Sequence, residues 1–387
     1  MHFRDPIFAP RPYVSVFVCF LAALLAARPS VCQTEDLAAQ RMAHLRRGVN
    51  TSEWFAQSPG NYSVERLRAF TTLDDISRIH TLGFDHIRLS VDAAPLTLWQ
   101  QGTPAGKEFM AELDRVVEKA TSEDLAVIVD VHPEDSYKKQ LFEGTESVER
   151  FDSLWTALAT HFRDTDPRLV FFEIMNESEQ SDPQRWRSIE TQAAQAIRAV
   201  APGHSILASG AHWSGLDDLL KLEPLPLENI IYTFHDYEPF PFTHQGATWT
   251  MTEVRPLRGV PYPSTPENIT PLLSQEPTLA DRLWLEQYGL AQWNASRVNT
   301  TVDFADQWSR LHHVPVYCGE FGVYRAFAPP AARAQWIRDM RTALESHSIG
   351  WAMWDYQQGF SLVTKRKGEV ILDRAVLNAL GLGTSSN

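Results

Sequence analysis

The chain has 387 residues, of which 44% are hydrophobic and 21% are charged. This composition suits a globular protein with a substantial core and excludes a disordered or fibrous chain. The formal net charge of −13 and the pI near 5.5 argue against nucleic acids or anionic lipids as partners. Such partners require a concentrated surface of Lys and Arg, so we expect neither.

The first 32 residues have the pattern of a secretory signal peptide. Arg4 and Arg11 lie near the amino terminus, and the apolar segment YVSVFVCFLAALLAA follows them. Small residues then lie near a plausible cleavage site. An apolar segment of about 15 residues is short for a membrane span. We expect cleavage between Arg28 and Thr34, with an uncleaved anchor as the alternative. The protein is therefore expected to be secreted, to the extracellular space or the periplasm.

The three cysteines are too few and too scattered to hold the fold together. Cys19 and Cys32 lie within or next to the signal segment, and Cys318 follows an apolar run. Burial of a core must therefore stabilise the chain, which its length permits. We interpret Cys318 as a buried thiol in a strand, with a catalytic nucleophile as the alternative.

From residue 45 onward, eight short apolar or β-branched runs alternate with amphipathic segments. Continuous apolar runs are typical of strands that are covered on both faces, as in a parallel sheet. The predicted strands span residues 45–54, 86–91, 125–131, 169–175, 205–211, 229–235, 314–320 and 350–356.

The segments between these runs predict helices. Residues 106–124 place apolar side chains three and four positions apart, and residues 147–162, 182–200 and 328–346 show the same pattern. Eight strands alternating with helices predict an α/β fold, a (β/α)8 TIM barrel, in one domain over residues 35–387. An open doubly wound sheet is the alternative, but no Gly-rich phosphate loop follows the first strand.

Three connections differ from the simple alternation. Residues 238–276 contain seven prolines and no clear periodicity, which predicts a functional loop over a site. Residues 277–313 predict mainly helix. The basic stretch at residues 364–369 is predicted to be a surface hairpin turn with Gly368 at its tip.

Polar side chains close six of the predicted strands. Active sites in barrels gather at the carboxyl ends of the strands, so we expect these side chains to share one cavity. They are Arg88 in the second strand, Asp130 and His132 in the third, Asn176 and Glu177 in the fourth, His235 and Tyr237 in the sixth, Glu320 in the seventh, and Trp354 and Asp355 in the eighth.

Glu177 and Glu320, on separate strands, form the minimal machinery for glycoside hydrolysis. We expect their carboxyl groups to lie roughly 5 Å apart, as retaining chemistry requires. Arg88 beside Glu320 would hold that carboxylate ionised and nucleophilic, whereas Glu177 could keep its proton near neutral pH. Asn176 could hydrogen-bond a sugar 2-hydroxyl, and Trp354 could face the sugar ring.

Other polar residues of this set also admit structural roles. His132, His235 and Tyr237 are expected to complete the polar wall, although either histidine could be a satisfied core residue. Asp130 and Asp355 are expected to brace strands rather than to react.

Three further tryptophans are candidate sugar platforms. Trp54 closes the first strand, Trp213 follows the fifth, and Trp249 lies in the proline-rich connection. Aromatic side chains are first of all core material, so a core role is the alternative for each of them.

These residues resemble the pattern of glycoside hydrolase family 5, the cellulase-like barrels of clan A. The residues that carry the resemblance are Arg88, His132, Asn176 with Glu177, His235 with Tyr237, the Gly-Glu-Phe-Gly stretch at 319–322, and Trp354. The resemblance implies that Glu177 is the acid/base and Glu320 the nucleophile, with retention of anomeric configuration.

The family acts on polysaccharides, which the resemblance makes the expected partner of this chain. A β-1,4-linked glucan cut internally is the first expectation, and mannan, xyloglucan and β-1,3-glucan are the alternatives. We expect no cofactor and no metal, and we expect a monomer.

Two other functions remain open. A metal-dependent barrel hydrolase would use His132, His235 and carboxylates as ligands, but the His-x-His pair or His-x-x-x-His helix of such sites does not occur in the right setting. A carbohydrate-binding barrel without catalysis would not require both glutamates together with all their neighbours.

Overall fold

Eight parallel strands form a closed barrel in sequence order, with the last strand paired to the first. The computed structural model describes residues 36–383, so the predicted signal segment at residues 1–32 lies outside the described residues. The barrel strands are β1 (Arg47–Asn50), β2 (His86–Val91), β3 (Ala126–Val131), β4 (Val170–Glu173), β5 (Ile206–Ser209), β6 (Ile230–His235), β7 (Val316–Phe321) and β8 (Gly350–Met353). The predicted (β/α)8 barrel is confirmed, and the open doubly wound sheet is wrong.

The strands are apolar along their length because both of their faces are covered. In β3, Val127, Val129 and Val131 belong to the core between the barrel and its helices. Ile128 belongs to a second core inside the barrel, and Asp130 continues this inward series at the carboxyl end of the strand. A buried polar position therefore follows directly from the alternation of side chains.

Helices cover the outside of the barrel. Within residues 36–383 they are α1 (Leu37–Arg41), α2 (Val64–Phe70), α3 (Leu73–Thr81), α4 (Ala93–Gln100), α5 (Pro104–Ser122), α6 (Asp135–Leu141), α7 (Thr145–Phe162), α8 (Pro183–Val200), α9 (Leu216–Leu219), α10 (Phe240–Thr243), α11 (Pro266–Leu273), α12 (Leu279–Leu290), α13 (Ala295–His312), α14 (Pro330–Ser346) and α15 (Arg374–Ala379). None of the helices in this range is long and apolar enough to cross a membrane.

The four helices predicted from periodicity correspond to α5, α7, α8 and α14, and each end differs from the prediction by two residues or fewer. Capping explains why α5 and α8 begin where they do. Thr103 and Asp182 accept hydrogen bonds from the first free backbone N–H groups, and a proline occupies the first turn of each helix.

The proline-rich segment after β6 is more ordered than its sequence predicts. It contains α10, a 3-10 turn at Thr252–Val254 and α11. A capping box between Thr265 and Asn268 begins α11, and Pro271 lies inside that helix, which obscures its periodicity. The prediction of mainly helix for residues 277–313 agrees with α12 and α13.

The basic stretch after β8 forms the predicted hairpin. Its strands, β9 (Val363–Arg366) and β10 (Glu369–Leu372), pair antiparallel. Lys367 and Gly368 connect them with φ angles of 50° and 84°, the positive values that a two-residue hairpin turn requires. This turn explains the glycine at its tip.

Cys318 is a free thiol, fully buried in β7. Burial raises the pKa of this thiol well above its ordinary value. Since the thiolate is the reactive form, the structural interpretation of Cys318 holds and the nucleophile alternative is wrong.

Candidate active site

Arg88 lies fully buried at the floor of the barrel mouth and contacts several acceptors. Its Nε and Nη2 atoms donate to the two carboxylate oxygens of Glu173, each at 2.7 Å. Its Nη1 atom donates to Glu320 at 2.8 Å and to Asn50 at 3.0 Å. Although burial alone lowers the pKa of Arg88, the carboxylates of Asp130, Glu173 and Glu320 raise it well above its ordinary value. The planar guanidinium fits this set of acceptors, which a lysine could not satisfy.

Glu320 receives a hydrogen bond on each carboxylate oxygen. Arg88 donates to Oε1, and the Tyr237 hydroxyl donates to Oε2, both at 2.8 Å. Burial nevertheless raises the pKa of Glu320 to about 7, against the opposing effects of His235, Arg88 and Tyr237. The predicted contact with Arg88 is present. Arg88 lowers the pKa of Glu320, as expected of a neighbouring cation, while burial raises it by more.

Glu177 lies beside Glu320 and is the more exposed of the two, with 27% of its side chain accessible against 5% for Glu320. A carboxylate oxygen of each glutamate and a ring nitrogen of His235 lie within 4.8 Å of one another. His235 Nδ1 is 2.9 Å from Glu177 Oε1. The backbone of Glu177 has a φ of 46°, a strained value that is common at functional sites. The two carboxyl groups therefore lie side by side next to His235.

His132 is held in one orientation by a closed set of hydrogen bonds. The Asn176 amide donates from Nδ2 to His132 Nε2 at 3.1 Å, and its Oδ1 accepts from Arg88 at 3.0 Å. Because Nε2 of His132 is then the acceptor, Nδ1 carries the proton and donates to Asp130 at 2.9 Å. Burial lowers the pKa of His132 well below its ordinary value, so the ring is neutral. Asp130 thus fixes the His132 ring and also lies 3.2 Å from Arg88.

His235 is neutral for the same physical reason. Burial lowers the pKa of His235 to about 4, although the Glu320 carboxylate opposes this shift. Asp355 likewise braces the structure, because its Oδ2 accepts a short hydrogen bond from the Ser52 hydroxyl. Burial raises the pKa of Asp355 to about 8.

Close packing explains the Gly-Glu-Phe-Gly stretch around Glu320. A Cβ atom on Gly319 would lie 2.6 Å from a hydroxyl oxygen on β6, and one on Gly322 would lie 2.3 Å from the Trp354 carbonyl oxygen. The pairing of β6 with β7 shifts register at His235, which lies opposite Glu320. Irregularities of this kind redirect side chains, and here Glu320 is placed beside His235.

Trp354 and Trp54 have different environments. The Trp354 ring is stacked on His132, with 5.8 Å between centroids and 22° between planes. Trp54 is 1% exposed and donates from Nε1 to the Leu67 carbonyl at 2.6 Å, in the core between strand and helix. The prediction that Trp54 is a sugar platform is therefore wrong, because no ligand can reach its ring.

Trp213 and Trp249 are exposed, at 50% and 58%. The backbone N–H of Trp213 donates to the carbonyl of Ser178, in the loop that carries Glu177, at 2.7 Å. The Trp249 ring lies 6.4 Å from that of Phe360, which lies 5.9 Å from that of Tyr237. Trp213 is thus tied by its backbone to the loop of Glu177, and Trp249 is linked through Phe360 to Tyr237, whose hydroxyl donates to Glu320.

Two residues of the Arg88 network were not found from the sequence. Glu173 lies inside the run LVFFEIM, whose apolar residues predict a strand packed in the core. Glu173 nevertheless forms the bidentate pair with Arg88. Asn50 accepts from Arg88 and donates from Nδ2 to the Gly319 carbonyl at 2.9 Å. A glutamate inside a doubly covered strand is itself a signal, since a buried carboxylate requires a cation.

The donor atoms of Glu177, His235 and Glu320 are close enough to hold a metal ion. The surroundings fit such an ion poorly, because Arg88 donates to Glu320 and brings a positive charge to the same carboxylate. The Tyr237 hydroxyl donates to its other oxygen. The arrangement therefore suits a pair of carboxyl groups better than a metal centre.

A parallel barrel with two carboxyl groups this close at the carboxyl ends of its strands has the architecture of a glycoside hydrolase. The profile of the cellulase family, glycosyl hydrolase family 5, matches residues 45–359. The chain belongs to this family and is a cellulase-like glycoside hydrolase.

Curated relatives and solved structures agree with this assignment. Endoglucanase C of Acetivibrio thermocellus is 28% identical over 323 residues, which cover 82% of this chain and 92% of that protein. Cellodextrinase A of Ruminococcus flavefaciens is 27% identical, with 78% and 83% covered. The structure of endoglucanase Cel5A from Thermotoga maritima has a TM-score of 0.71 and 25% identity, and covers 89% of this chain and 99% of its own. The same Thermotoga protein has been solved with mannotriose, with a TM-score of 0.70, 24% identity, and 88% and 99% covered.

Proposed function

We propose that the protein is a retaining, endo-acting β-1,4-glucanase in which Glu320 is the nucleophile and Glu177 the acid/base. The observation that carries the proposal is that one carboxylate oxygen of Glu177 and one of Glu320 lie within 4.8 Å of each other. Retaining glycosidases separate these groups by about 5–5.5 Å, whereas inverting enzymes need roughly 6.5–9.5 Å to admit a water molecule.

The surroundings of each glutamate favour this division of roles. Both oxygens of Glu320 are fixed by donors, so the carboxylate is held in place and its negative charge is stabilised at the moment of attack. Glu177 is more exposed and can exchange its proton with solvent. A nucleophile benefits from fixed geometry, and an acid/base must be able to pass a proton to water.

The reaction proceeds in two displacements. Glu320 attacks the anomeric carbon while Glu177 gives its proton to the departing glycosidic oxygen, which forms a glycosyl ester and releases the first product. Glu177, now a carboxylate, takes a proton from water as that water attacks the anomeric carbon. The ester bond to Glu320 then breaks, and the sugar leaves with its original configuration.

The supporting residues orient the sugar between the glutamates. Asn176 has one amide proton engaged with His132, which leaves the other for a sugar 2-hydroxyl. Trp354, stacked on His132, offers a flat apolar surface to the sugar ring. The neutral His132, His235 and Tyr237 complete the polar wall without adding charge near the anomeric carbon.

Two observations support internal cleavage of a glucan. Trp213, whose backbone is bonded to the loop that carries Glu177, and Trp249, linked through Phe360 to Tyr237, are exposed aromatic side chains, which suits a chain that extends beyond one sugar. The relatives named endoglucanase act, by their names, within glucan chains. We further propose that the chain is secreted and acts as a monomer.

A panel of purified polysaccharides tests this function. We expect carboxymethyl cellulose and mixed-linkage β-glucan to lose viscosity faster than reducing ends accumulate, with little release from mannan, xyloglucan or β-1,3-glucan. Activity retained in full after prolonged chelation is expected and would eliminate a metal-dependent hydrolase. Absence of released sugar from every β-glycan would contradict the proposal and favour a carbohydrate-binding barrel.

The pH dependence follows from the burial of Glu320. For an aryl β-cellobioside with a good leaving group, we expect kcat/KM to fall as the pH decreases below about 7. Such a substrate needs no proton from Glu177, so the acid limb reports ionisation of the nucleophile. The value of kcat/KM falls on the acid side because Glu320 attacks as a carboxylate. Burial moves this fall to higher pH because it raises the pKa of Glu320.

Tyr237→Phe provides the matched comparison for this pH profile. It removes a hydrogen bond that lowers the pKa of Glu320, so the acid limb should move to higher pH. If the acid limb has its midpoint near pH 4.3, the ordinary pKa of glutamate, in both proteins, burial does not control the ionisation of Glu320.

A further inference from the structure

His235 contacts both glutamates of the site through one ring nitrogen and leaves the other nitrogen without a partner. Its Nδ1 atom lies 2.9 Å from Glu177 Oε1 and 3.6 Å from Glu320 Oε2. Its Nε2 atom is buried and, within residues 36–383, has no hydrogen-bond partner. A buried ring nitrogen without a partner is unfavourable, so Nε2 requires a polar group that the proposed mechanism does not yet include.

Two hydroxyl groups inside the barrel are unpartnered in the same way. Thr233 Oγ1 and Ser209 Oγ are buried, and neither has a hydrogen-bond partner among the described residues. Leu207 and Ile231, two positions earlier in the same strands, belong to the core inside the barrel. Side chains alternate along a strand, so Ser209 and Thr233 also point inward. They are register partners on β5 and β6 and therefore face the same layer of the interior.

Gly319, on the neighbouring strand β7, shows how close Thr233 and His235 are. A Cβ atom on Gly319 would lie 2.6 Å from Thr233 Oγ1 and 3.2 Å from His235 Nε2. These two atoms border the same space, and they can be no farther apart than the sum of the two distances. One water molecule can bridge such a separation, and Ser209 Oγ offers it a third polar partner in the same layer.

The charges around Nδ1 decide which ring nitrogen of His235 carries the proton. Burial lowers the pKa of His235 to about 4, so the ring is neutral and one of its nitrogens is protonated. Nδ1 faces an oxygen of each glutamate, which favours a proton on Nδ1 that is donated to Glu177 Oε1. Nε2 must then accept a hydrogen bond. In this state the acidic proton of Glu177 lies on Oε2, the oxygen that is not bonded to His235.

We propose that Thr233 is a positioning residue whose hydroxyl group donates to one buried water molecule, which donates in turn to Nε2 of His235 and holds the ring proton on Nδ1. This inference rests on the proposed function, because it assigns a further residue to the same reaction. If the ring proton moved to Nε2, Nδ1 would accept the proton of Glu177, which would then point away from the glycosidic oxygen. The Thr233 hydroxyl group thus keeps the acid available to the substrate.

The protonation of the His235 ring tests this assignment without any turnover. In two-bond proton–nitrogen NMR spectra of protein labelled with ¹⁵N-histidine, the His235 signals are identified by their absence from His235→Gln. We expect wild type to show a protonated Nδ1 and an unprotonated Nε2 near neutral pH. Thr233→Val has nearly the same shape but no hydroxyl group, and it should shift the tautomer ratio toward Nε2 by about 2-fold to 10-fold. Thr233→Ser keeps the hydroxyl group and should retain the wild-type ratio.

Kinetics with two leaving groups separates this role from a structural one. For phenyl β-cellobioside, whose departing oxygen needs a proton, Thr233→Val should lower kcat/KM by about 2-fold to 10-fold, and Thr233→Ser should restore it. For dinitrophenyl β-cellobioside, which needs no proton, kcat/KM should change little. A structural defect would lower both values by the same factor and would also lower Tm.

Three results would overturn the inference. They are a wild-type ring with its proton on Nε2, a Thr233→Val protein with the wild-type tautomer ratio, and an equal loss of kcat/KM on both cellobiosides. The first of these is measured on wild type, so it does not depend on whether Thr233→Val folds. Failure of the proposed function is distinguished from all three, because wild type would then release no phenol from either cellobioside, whatever its tautomer.

Discussion

Glu320→Ala is expected to reduce hydrolysis of aryl β-cellobiosides by at least about 10⁴-fold, because no other group can form the glycosyl ester. The fold should survive, since Arg88 keeps its bidentate pair with Glu173 and its contact with Asp130 at 3.2 Å. The measurement is kcat in parallel with thermal unfolding. A loss of activity at an unchanged Tm assigns the effect to chemistry.

The control for this variant is Glu369→Ala, at an exposed position of the β9–β10 hairpin. It removes a glutamate without touching the barrel mouth and should retain wild-type activity. Substantial hydrolysis by Glu320→Ala would mean that another group performs the attack.

Glu177→Ala is expected to have an effect that depends on the leaving group. For polysaccharides and for aryl glycosides with poor leaving groups, the first step should slow by about 10²-fold to 10⁴-fold, because the departing oxygen receives no proton. For dinitrophenyl glycosides, which need no such proton, the first step should be nearly unchanged. Stopped-flow measurement of phenol release across a series of leaving groups gives this dependence directly.

Glu146→Ala is the control for loss of a glutamate at an exposed position. Glu146 is 85% exposed and pairs with Arg150 on α7, so its removal should leave the leaving-group dependence unchanged. A Glu177→Ala variant that slows all leaving groups by the same factor would contradict the acid/base role.

The barrel could be predicted because its pattern is repeated along the chain. Continuous apolar strands, amphipathic helices and proline or Asp caps each indicate the same alternation, and α5 and α8 begin where their caps lie. The insertion after β6 was less predictable. Its short helix α11 includes Pro271, and a helix of this length shows little periodicity.

The residues facing the cavity could be predicted, but their electrostatic partners could not. The sequence predicts a contact between Arg88 and Glu320, but it does not predict the two hydrogen bonds from Arg88 to Glu173. Nothing in the spacing of the sequence reveals which carboxylates share one guanidinium. The degree of burial of Glu320, which raises its pKa to about 7, is likewise a property of the closed barrel.

Trp54 shows a different limit of prediction from sequence. Its position at the end of the first predicted strand favours a place at the barrel mouth, but β1 ends at Asn50. The chain beyond Asn50 turns outward, and Trp54 enters the core against Leu67 of α2. The direction of a side chain after a strand depends on the loop that follows, which periodicity does not describe.

The product that Glu320→Ala forms in the presence of azide tests the central claim most directly. Azide can occupy the space left by the carboxylate and displace the leaving group in a single step, so a β-glycoside should give an α-glycosyl azide. The anomeric coupling constant in the proton NMR spectrum distinguishes the two forms. A β-glycosyl azide from Glu320→Ala would contradict the assignment of Glu320 as the nucleophile.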